Sequence, residues 1–177
     1  FARYFVDVLA PNQDIGTLYW TWTIGISSLV AALLSPILGS ISDKSQRSKL
    51  WLIFTTLIYS VIAFSFWFAE PNVLSLTLII ILIFIGNVSY EISQIFYNGQ
   101  LKLITTKNNY AKLSGFAWGL GYVGTVTIFL IYYGIFFLPS EPIFGLDKSS
   151  YENIRISFPI TGIWILLFSL PLFLTFK

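Results

Sequence analysis

The sequence predicts an all-α membrane protein, and three observations support this fold class. Long stretches carry no charged residue, namely 15–42, 50–69, 71–90, 113–140 and 156–176. Each is long enough for a bilayer-spanning helix, which needs about 20 apolar residues. Charged residues make up only 10% of the chain, whereas a soluble domain has about 25%. Aromatic residues reach 19% and many lie near the ends of the stretches, as in proteins that anchor at the membrane interface.

One partial helix and five complete spans account for the chain in order. Residues 1–9 are too short to cross a bilayer, so we interpret them as the outer end of a first helix whose beginning is missing. The complete spans are predicted near 17–38, 51–69, 73–97, 113–138 and 157–176. Pro36 is expected to kink the first of them. The longest loop, 139–156, is too short for a soluble domain, so residues 1–177 are predicted to form a single transmembrane domain.

The boundaries of these spans follow from polar segments and from residues that end helices. In chain order they are Pro11-Asn12, the polar segment 39–50, Glu70-Pro71-Asn72, Lys107-Asn108-Asn109, and Pro139 to Pro142 with Gly145. Each separates two apolar stretches, so neighbouring spans are expected to run in opposite directions.

Lys and Arg concentrate in alternate loops, which predicts the orientation because positive residues favour the cytoplasmic side. Seven lie in two alternate loops or after the last span, and three lie in the remaining loops. The seven are Lys44, Arg47, Lys49, Lys102, Lys107, Lys112 and Lys177, and the three are Arg3, Lys148 and Arg155. We therefore predict that loops 39–50 and 98–112 and the carboxyl end are cytoplasmic.

Composition also argues against several classes of function. The chain has no Cys and no His, which removes disulfides, typical zinc ligands and histidine acid–base chemistry. It has no G-x-x-x-x-G-K-S/T loop for nucleotide phosphates. A net charge of +2 without a basic stripe makes nucleic acid a poor partner. We expect a protein that is not an enzyme and that has no catalytic residues, metal or cofactor.

The loop after the first complete span has a defined spacing of glycine, acidic and basic residues. Gly39 is followed by Asp43 and Lys44, and then by Arg47 and Lys49. Glycine permits a tight turn, and Asp43 is placed to cap the following helix. The basic residues are expected to hold the loop at the cytoplasmic face, where they can bind carboxylates or lipid head groups. The alternative is an ordinary basic cytoplasmic loop.

This spacing resembles the signature of the major facilitator superfamily between its second and third helices: Gly, three residues, Asp, Arg or Lys, two residues, Arg. Gly39, Asp43, Lys44 and Arg47 match it, and Gln46 stands where the signature usually has Gly. The resemblance implies that these matching residues, with Lys49, form a cytoplasmic latch between two transporter halves. It also implies the six-helix N-terminal half of a twelve-helix bundle, with the first helix truncated and the C-terminal six-helix half as the missing partner.

Further segments resemble the vacuole-effluxer-like branch of that superfamily, which is related to a fungal autophagy-associated amino-acid permease. They are Phe96-Tyr97-Asn98 with Leu101, the glycine-rich stretch 114–124, and Arg155 followed by Trp164 and residues 168–173. The resemblance implies a secondary transporter that moves or exports amino acids or similar small metabolites. It implies alternating access, protons as a candidate coupling ion, and a bacterial inner membrane, or a vacuolar or lysosomal membrane in a eukaryote.

A polar stripe runs along the third complete span. Asn87, Glu91, Gln94 and Asn98 recur at helical spacing and therefore share one face. A carboxylate at the depth of Glu91 is costly unless it is protonated, paired or hydrated. One interpretation is a face that lines a cavity, with Glu91 carrying a proton or binding a substrate amine. The other is a structural hydrogen bond to a neighbouring helix, or a position shallow enough to reach water.

The fourth complete span combines glycines with aromatic residues. Gly115 and Gly119 are one turn apart, as in pairs that let another helix approach closely. Trp118 and Tyr122 have the same spacing and either line the cavity or pack against neighbouring helices and lipid. Tight packing is the favoured interpretation of the glycines, and a pivot between moving helices is the alternative.

The sequence therefore predicts a transporter whose partners are the lipid bilayer, a small-molecule substrate and a further six-helix half. The alternative function is a non-transporting membrane scaffold that uses the glycine-rich helix for assembly.

Overall fold

A computed structural model of the protein describes residues 1–45, 47–100 and 104–175, without the side chains of 42–45 and 175. Every regular element over these ranges is helical, which confirms the predicted all-α class. The α-helices described are α1 (Ala2–Tyr4), α2 (Gln13–Ser45), α3 (Ser48–Ser65), α4 (Leu76–Gly99), α5 (Tyr110–Tyr132), α6 (Glu152–Arg155) and α7 (Ser157–Thr175). Short helical turns extend α1 over Phe5–Leu9, α3 over Phe66–Phe68 and α5 over Tyr133–Phe137.

Five segments of the described chain are long and apolar enough to cross a membrane. They are Gln13–Ile41, Ser48–Phe68, Leu76–Gly99, Lys107–Phe137 and Glu152–Leu174. Each overlaps one of the spans predicted from the sequence. With the helical residues at the start of the chain, they make the six helices that the sequence led us to expect.

Side-chain caps move two helix boundaries away from the predicted positions. Asn12 Oδ1 accepts a hydrogen bond from the Ile15 backbone N–H at 2.9 Å, and α2 begins at Gln13. Ser75 Oγ accepts from the Leu78 N–H at 3.3 Å, and α4 begins after it. Capping places the first residue of a helix next to a polar side chain, so these helices start where Asn12 and Ser75 lie rather than where hydropathy changes.

The helices pack around α4, which contacts α2 and α3, while α3 also contacts α7. Two buried clusters hold these contacts. One joins Tyr4, Phe5, Ala69, Ile79, Ile83 and Phe158, and the other joins Leu52, Ile92 and Phe96. The first lies next to the α3–α4 loop, which was predicted to be on the outer side. We call this the predicted outer end of the bundle, and the opposite end the predicted inner end.

Helices α3 and α7 approach each other closely at Gly162. A Cβ built on Gly162 would lie 3.0 Å from the Phe64 ring and 3.3 Å from the Ser60 carbonyl oxygen. Ser60 Oγ, which is buried, donates to the Gly162 carbonyl at 3.1 Å. Because Gly162 has no side chain, the two helices come close enough for the Ser60 hydroxyl to bind the Gly162 carbonyl.

Helix α5 stands largely apart from the other described helices. Its apolar side chains are exposed along most of its length, for example Phe116 at 65% and Leu130 at 60%. It is held at one end, where the turn Tyr133–Phe137 packs against α6 and Tyr132 Oη donates to the Asn153 carbonyl at 2.6 Å. This arrangement leaves one face of α5 for lipid or for helices outside the described bundle.

Candidate functional site

Three neighbouring cavities between the helices share lining residues. The first, of about 440 Å³, lies nearest the predicted outer end and is lined by Phe1, Trp20 and Asn87 among others. The second, of about 570 Å³, lies between α3, α4 and α7 and shares Tyr59 and Tyr90 with the first. The third, of about 210 Å³, lies between α4 and α5 and shares Tyr90 with both. We call the three together the inter-helix groove.

The side-chain amide of Asn87 forms hydrogen bonds to a neighbouring helix. Its Nδ2 donates to Ser27 Oγ at 2.9 Å and to Ser28 Oγ at 3.2 Å, and so joins α4 to α2. Ser27 is fully buried and donates in turn to the Ile24 carbonyl. Asn87 also lines the first cavity. This amide is therefore a contact between helices as well as part of the groove wall.

Glu91 lies one turn further along α4 in a different environment. Within the described part of the chain, its carboxylate has no hydrogen-bond or ion-pair partner, and the residue is only partly buried. None of the three cavities is lined by Glu91. The structure thus keeps this carboxylate on the polar side of α4 but outside the groove.

Gln94 and Asn98 continue the polar side of α4 toward the predicted inner end. Both line the third cavity, where they face Ser114, Trp118 and Gly121 of α5. Gln94 also lines the second cavity. The structure therefore brings two residues of the predicted polar stripe together with Trp118, although the two groups are on different helices.

Among the described residues, no helix packs against Gly115 or Gly119, so their predicted packing role stays a prediction. A Cβ added at Gly115 or Gly119 would meet no atom within 4 Å. The reason is that α5 stands apart from the bundle over this region. Tyr122 is 66% exposed, and its ring lies 6.2 Å from that of Trp118, so these aromatic rings contact each other beside the third cavity.

The basic loop differs from the predicted arrangement at its first residues. α2 continues to Ser45, so the backbone of Asp43 is helical rather than part of a turn. The position before α3 belongs to Arg47. Gly39 lies inside α2 with nothing within 4 Å of an added Cβ, so it makes neither a tight turn nor a close contact. The side chains of Asp43 and Lys44 lie outside the described residues.

A hydrogen bond near this loop was not predicted from the sequence. Gln100, which is buried at the end of α4, donates from Nε2 to Ser48 Oγ at the start of α3, over 3.0 Å. It ties two neighbouring loops together at the predicted inner end. A glutamine and a serine in loop segments give no sequence signal for such a pairing.

Arg155 lies at the centre of a polar cluster at the predicted outer end. Its side chain is only 5% exposed. Nη1 donates to Glu70 Oε2 at 2.9 Å and to the Trp67 carbonyl at 3.1 Å, and the guanidinium carbon lies 5.4 Å from the centre of the Trp67 ring. Nη2 is 3.9 Å from Glu152 Oε1. Among the described residues, the buried Nε has no hydrogen-bond partner.

This cluster joins parts of the chain that are distant in sequence. Tyr4 Oη donates to the Ala69 carbonyl at 2.6 Å, next to the acidic partner of Arg155. The end of the first helix, the α3–α4 loop and the start of the last span therefore meet at one place. From the sequence we had counted Arg155 as one of three positive residues on the outer side. Its neighbour Glu152 and the acidic Glu70 were signals that it could be paired.

The loop before α6, at the predicted outer end, is organised by Asp147. Its carboxylate accepts from the Ser149 N–H at 2.7 Å and from Ser149 Oγ at 2.6 Å. These hydrogen bonds favour the ionised form and hold the pKa of Asp147 below its usual range. Glu152 Oε2 accepts from the Asp147 N–H at 2.8 Å, which fixes the loop against the helix that carries Arg155.

These features define an integral membrane protein: a bundle of membrane-length helices with an inter-helix groove and polar clusters at its ends. Comparison with known proteins identifies its family. The description "Vacuole effluxer Atg22 like" belongs to the family that matches residues 17–111 and 102–177, and the chain belongs to that family. The predicted resemblance is thereby confirmed.

A curated bacterial protein is also similar to the chain. The "Uncharacterized MFS-type transporter YxiO" of Bacillus subtilis (strain 168) is 26% identical over 157 residues, which cover 88% of this chain. The chain spans 36% of the length of that relative. No solved structure matches the chain.

Proposed function

We propose that the chain forms one helical half of a secondary transporter that works by alternating access, with a further set of helices as its partner. Membership of the Atg22-like family is the observation that carries this proposal. Amino acids or similar small metabolites are the substrates we propose, and a bacterial inner membrane is the location we propose. The two halves would rock around a site near the bilayer midplane.

Within this function we assign the proton-coupling or substrate-amine contact to Glu91. The support is its position on α4, between Asn87 and Gln94, and the lack of a partner for its carboxylate among the described residues. An ionisable group inside a span is costly, and one that is not paired internally is expected to bind an ion, water or a substrate. Asn98 and Trp118 line the third cavity, and we propose them as further solute contacts, separate from Glu91, which lines none of the three cavities.

The test is Glu91→Gln in a family-length transporter that contains these residues, reconstituted in vesicles. The amide keeps the size of the side chain and removes the charge, so we expect at least a tenfold loss of pH-dependent flux with an unchanged melting temperature. Glu141→Gln is the matched control, because Glu141 is exposed in an outer loop. Unchanged pH dependence of flux in Glu91→Gln would refute the role of Glu91.

A further inference from the structure

The loop between α5 and α6 has an exposed apolar tip, formed by the short turn Ile143–Gly145. We call these three residues the loop tip. Phe144 is 83% exposed and Ile143 is 51% exposed, whereas Pro142, directly before them, is buried. Among the described residues, no aromatic ring contacts Phe144. Two large apolar side chains therefore face away from the protein at a position outside the long helices.

Phe144 has a backbone conformation that is unfavourable for an aromatic residue. Its φ is 69° and its ψ is 13°, and Gly145 follows with a φ of 65°. Glycine adopts this left-handed region freely, but a Cβ atom comes too close to the following carbonyl oxygen. Tyr151 also has a positive φ, of 60°, and its ring lies 6.0 Å from that of Tyr4. Phe144 has no such contact in the described bundle, so packing within it does not account for the strain.

The base of this loop is held by hydrogen bonds. Lys148 Nζ donates to the Phe137 carbonyl at 3.0 Å, so the loop returns to the end of the helical turn that it left. The Asp147 carboxylate accepts from the Ser149 N–H, and Glu152 accepts from the Asp147 N–H at 2.8 Å. Loops whose ends lie close together are compact surface structures. The loop tip is therefore presented by a fixed base.

The loop tip lies within reach of the level at which a membrane-length segment ends. Segment Lys107–Phe137 ends at the residue whose carbonyl binds Lys148. Phe144 precedes Lys148 by only four residues, and four extended residues reach at most about 14 Å. The head-group region on each side of a bilayer is about 5–7 Å thick. The tip can therefore touch the boundary between head groups and acyl chains.

The chemistry of the loop fits a lipid surface better than another protein. Exposed polar residues, Glu141 before the tip and Asp147 after it, flank the apolar side chains. An apolar tip on a polar base suits the membrane interface, where aromatic rings are favoured. A specific protein contact needs about 800 Å² on each partner. A phenylalanine buries at most about 250 Å², so Phe144 and the smaller Ile143 provide too little area for one.

We propose that the loop tip is an interfacial anchor, which inserts Phe144 and Ile143 among the lipids at the predicted outer end. The strained backbone of Phe144 turns its ring outward, and lipid removes that ring from water. The exposed acids Glu141 and Asp147 outnumber Lys148, whose ammonium already binds the Phe137 carbonyl. Insertion therefore depends on apolar contact and not on attraction to anionic head groups. The anchor sets the depth of the α5–α6 loop in the bilayer.

The test measures the depth of a nitroxide label on Ile143→Cys in phosphatidylcholine nanodiscs, since the chain has no cysteine of its own. Oxygen concentrates in lipid and a water-soluble nickel complex stays in water, so the ratio of their collision rates with the label reports its depth. Ser140→Cys is the matched control, because Ser140 is exposed at the base of the same loop. We expect the oxygen-to-nickel ratio to be at least fivefold larger at Ile143→Cys than at Ser140→Cys.

Adding Phe144→Gly to Ile143→Cys separates anchoring from folding. Glycine adopts the left-handed conformation without strain, so the loop keeps its shape while the ring is lost. We expect the ratio to fall at least threefold, with an unchanged or higher melting temperature. Phe144→Leu, which keeps an apolar side chain, should retain most of the ratio.

Collision rates at Ile143→Cys that equal those in water would overturn the proposal, as would a ratio that Phe144→Gly leaves unchanged. A label shielded from both oxygen and nickel would also overturn it and would assign the loop tip to a protein contact. Phosphatidylglycerol in the nanodiscs should leave the ratio unchanged, and insertion that requires this anionic lipid would contradict its apolar basis. A lower melting temperature in Phe144→Gly would assign the ring to folding. These outcomes are independent of the flux test on Glu91.

Discussion

Arg155 combines a buried charge with partners from two parts of the chain, the segment that holds Trp67 and Glu70 and the helix that holds Glu152. Its ion pair with Glu70 is half-exposed on the acidic side, where the carboxylate is 38% exposed, so water can solvate Glu70 if the arginine is removed. The same guanidinium also donates to the backbone carbonyl of Trp67. The cluster therefore fixes the α3–α4 loop to the start of the last span.

Replacing Arg155 with Gln is expected to lower the free energy of unfolding by about 2 kcal/mol, the cost of losing hydrogen bonds from a charged donor. Arg155→Lys should recover only part of this loss, because an ammonium cannot form the planar fork that meets Glu70 and Trp67 together. Unfolding in detergent micelles, followed by circular dichroism, measures the difference.

Glu70→Gln is the second single variant in a double-mutant cycle with Arg155→Gln. If the ion pair contributes, the double variant should be less destabilised than the sum of the two single variants. Glu141→Gln, at an exposed loop position, is the control and should change stability little. Strictly additive effects of Glu70→Gln and Arg155→Gln would refute the pairing.

At this scale the sequence predicts which residues are polar within apolar surroundings, but not their partners. Asn87, Glu91, Gln94 and Asn98 follow from helical spacing, because spacing is a local property. The pairing of Arg155 with Glu70 needs two helices to return to the same end of the bundle at the right rotation. No spacing along the chain contains that information, and the same is true of Gln100 and Ser48.

At the scale of the helix, glycine permits close packing in α7 but not, among the described residues, at Gly119 of α5. Gly162 is in contact with α3 on its open side, whereas Gly119 meets nothing within 4 Å. Both lie inside helices, where alanine is intrinsically preferred by about 1 kcal/mol. Tertiary contact therefore decides the effect of a substitution at each position.

Gly162→Ala is expected to destabilise the chain by about 1–3 kcal/mol, because the added methyl group overpacks the contact with Phe64 and the Ser60 carbonyl. Gly119→Ala should be neutral or slightly stabilising in the same assay. Thermal unfolding of the two variants in parallel is the measurement. A loss of stability in Gly119→Ala that appears only in a family-length protein would show that α5 packs on helices beyond those described. Equal effects in this chain would contradict the packing described.

Helix identities were predictable because each long uncharged stretch exceeds the length a bilayer needs. Helix ends were less so. α2 runs past the predicted end near 38 through the polar residues that follow, since an exposed helix end does not need to be apolar. The same extension explains why Gly39 and Asp43 lie in a helix where a turn had been expected.

For the molecule as a whole, the orientation rests on the distribution of positive charge and remains a prediction. Since the chain has no cysteine, single substitutions can report the side of each loop. Arg47→Cys and Asn108→Cys should react with a membrane-impermeant maleimide only from the cytoplasmic side, and Asn72→Cys and Ser140→Cys only from the opposite side. Labelling in intact cells and in inverted vesicles makes the comparison. Reaction of Arg47→Cys and Asn108→Cys from opposite sides would contradict the predicted topology.

The fastening of α5 at Tyr132 has a mechanical consequence. The Asn153 carbonyl and the packing against α6 hold the carboxyl-terminal end of α5. From there the helix extends about 25 Å to Gly115. A tilt of about 10° around the fastened end would carry Gly115 sideways by about 4 Å. Such a tilt would widen or narrow the gap between α4 and α5, where Asn98 and Trp118 line the third cavity.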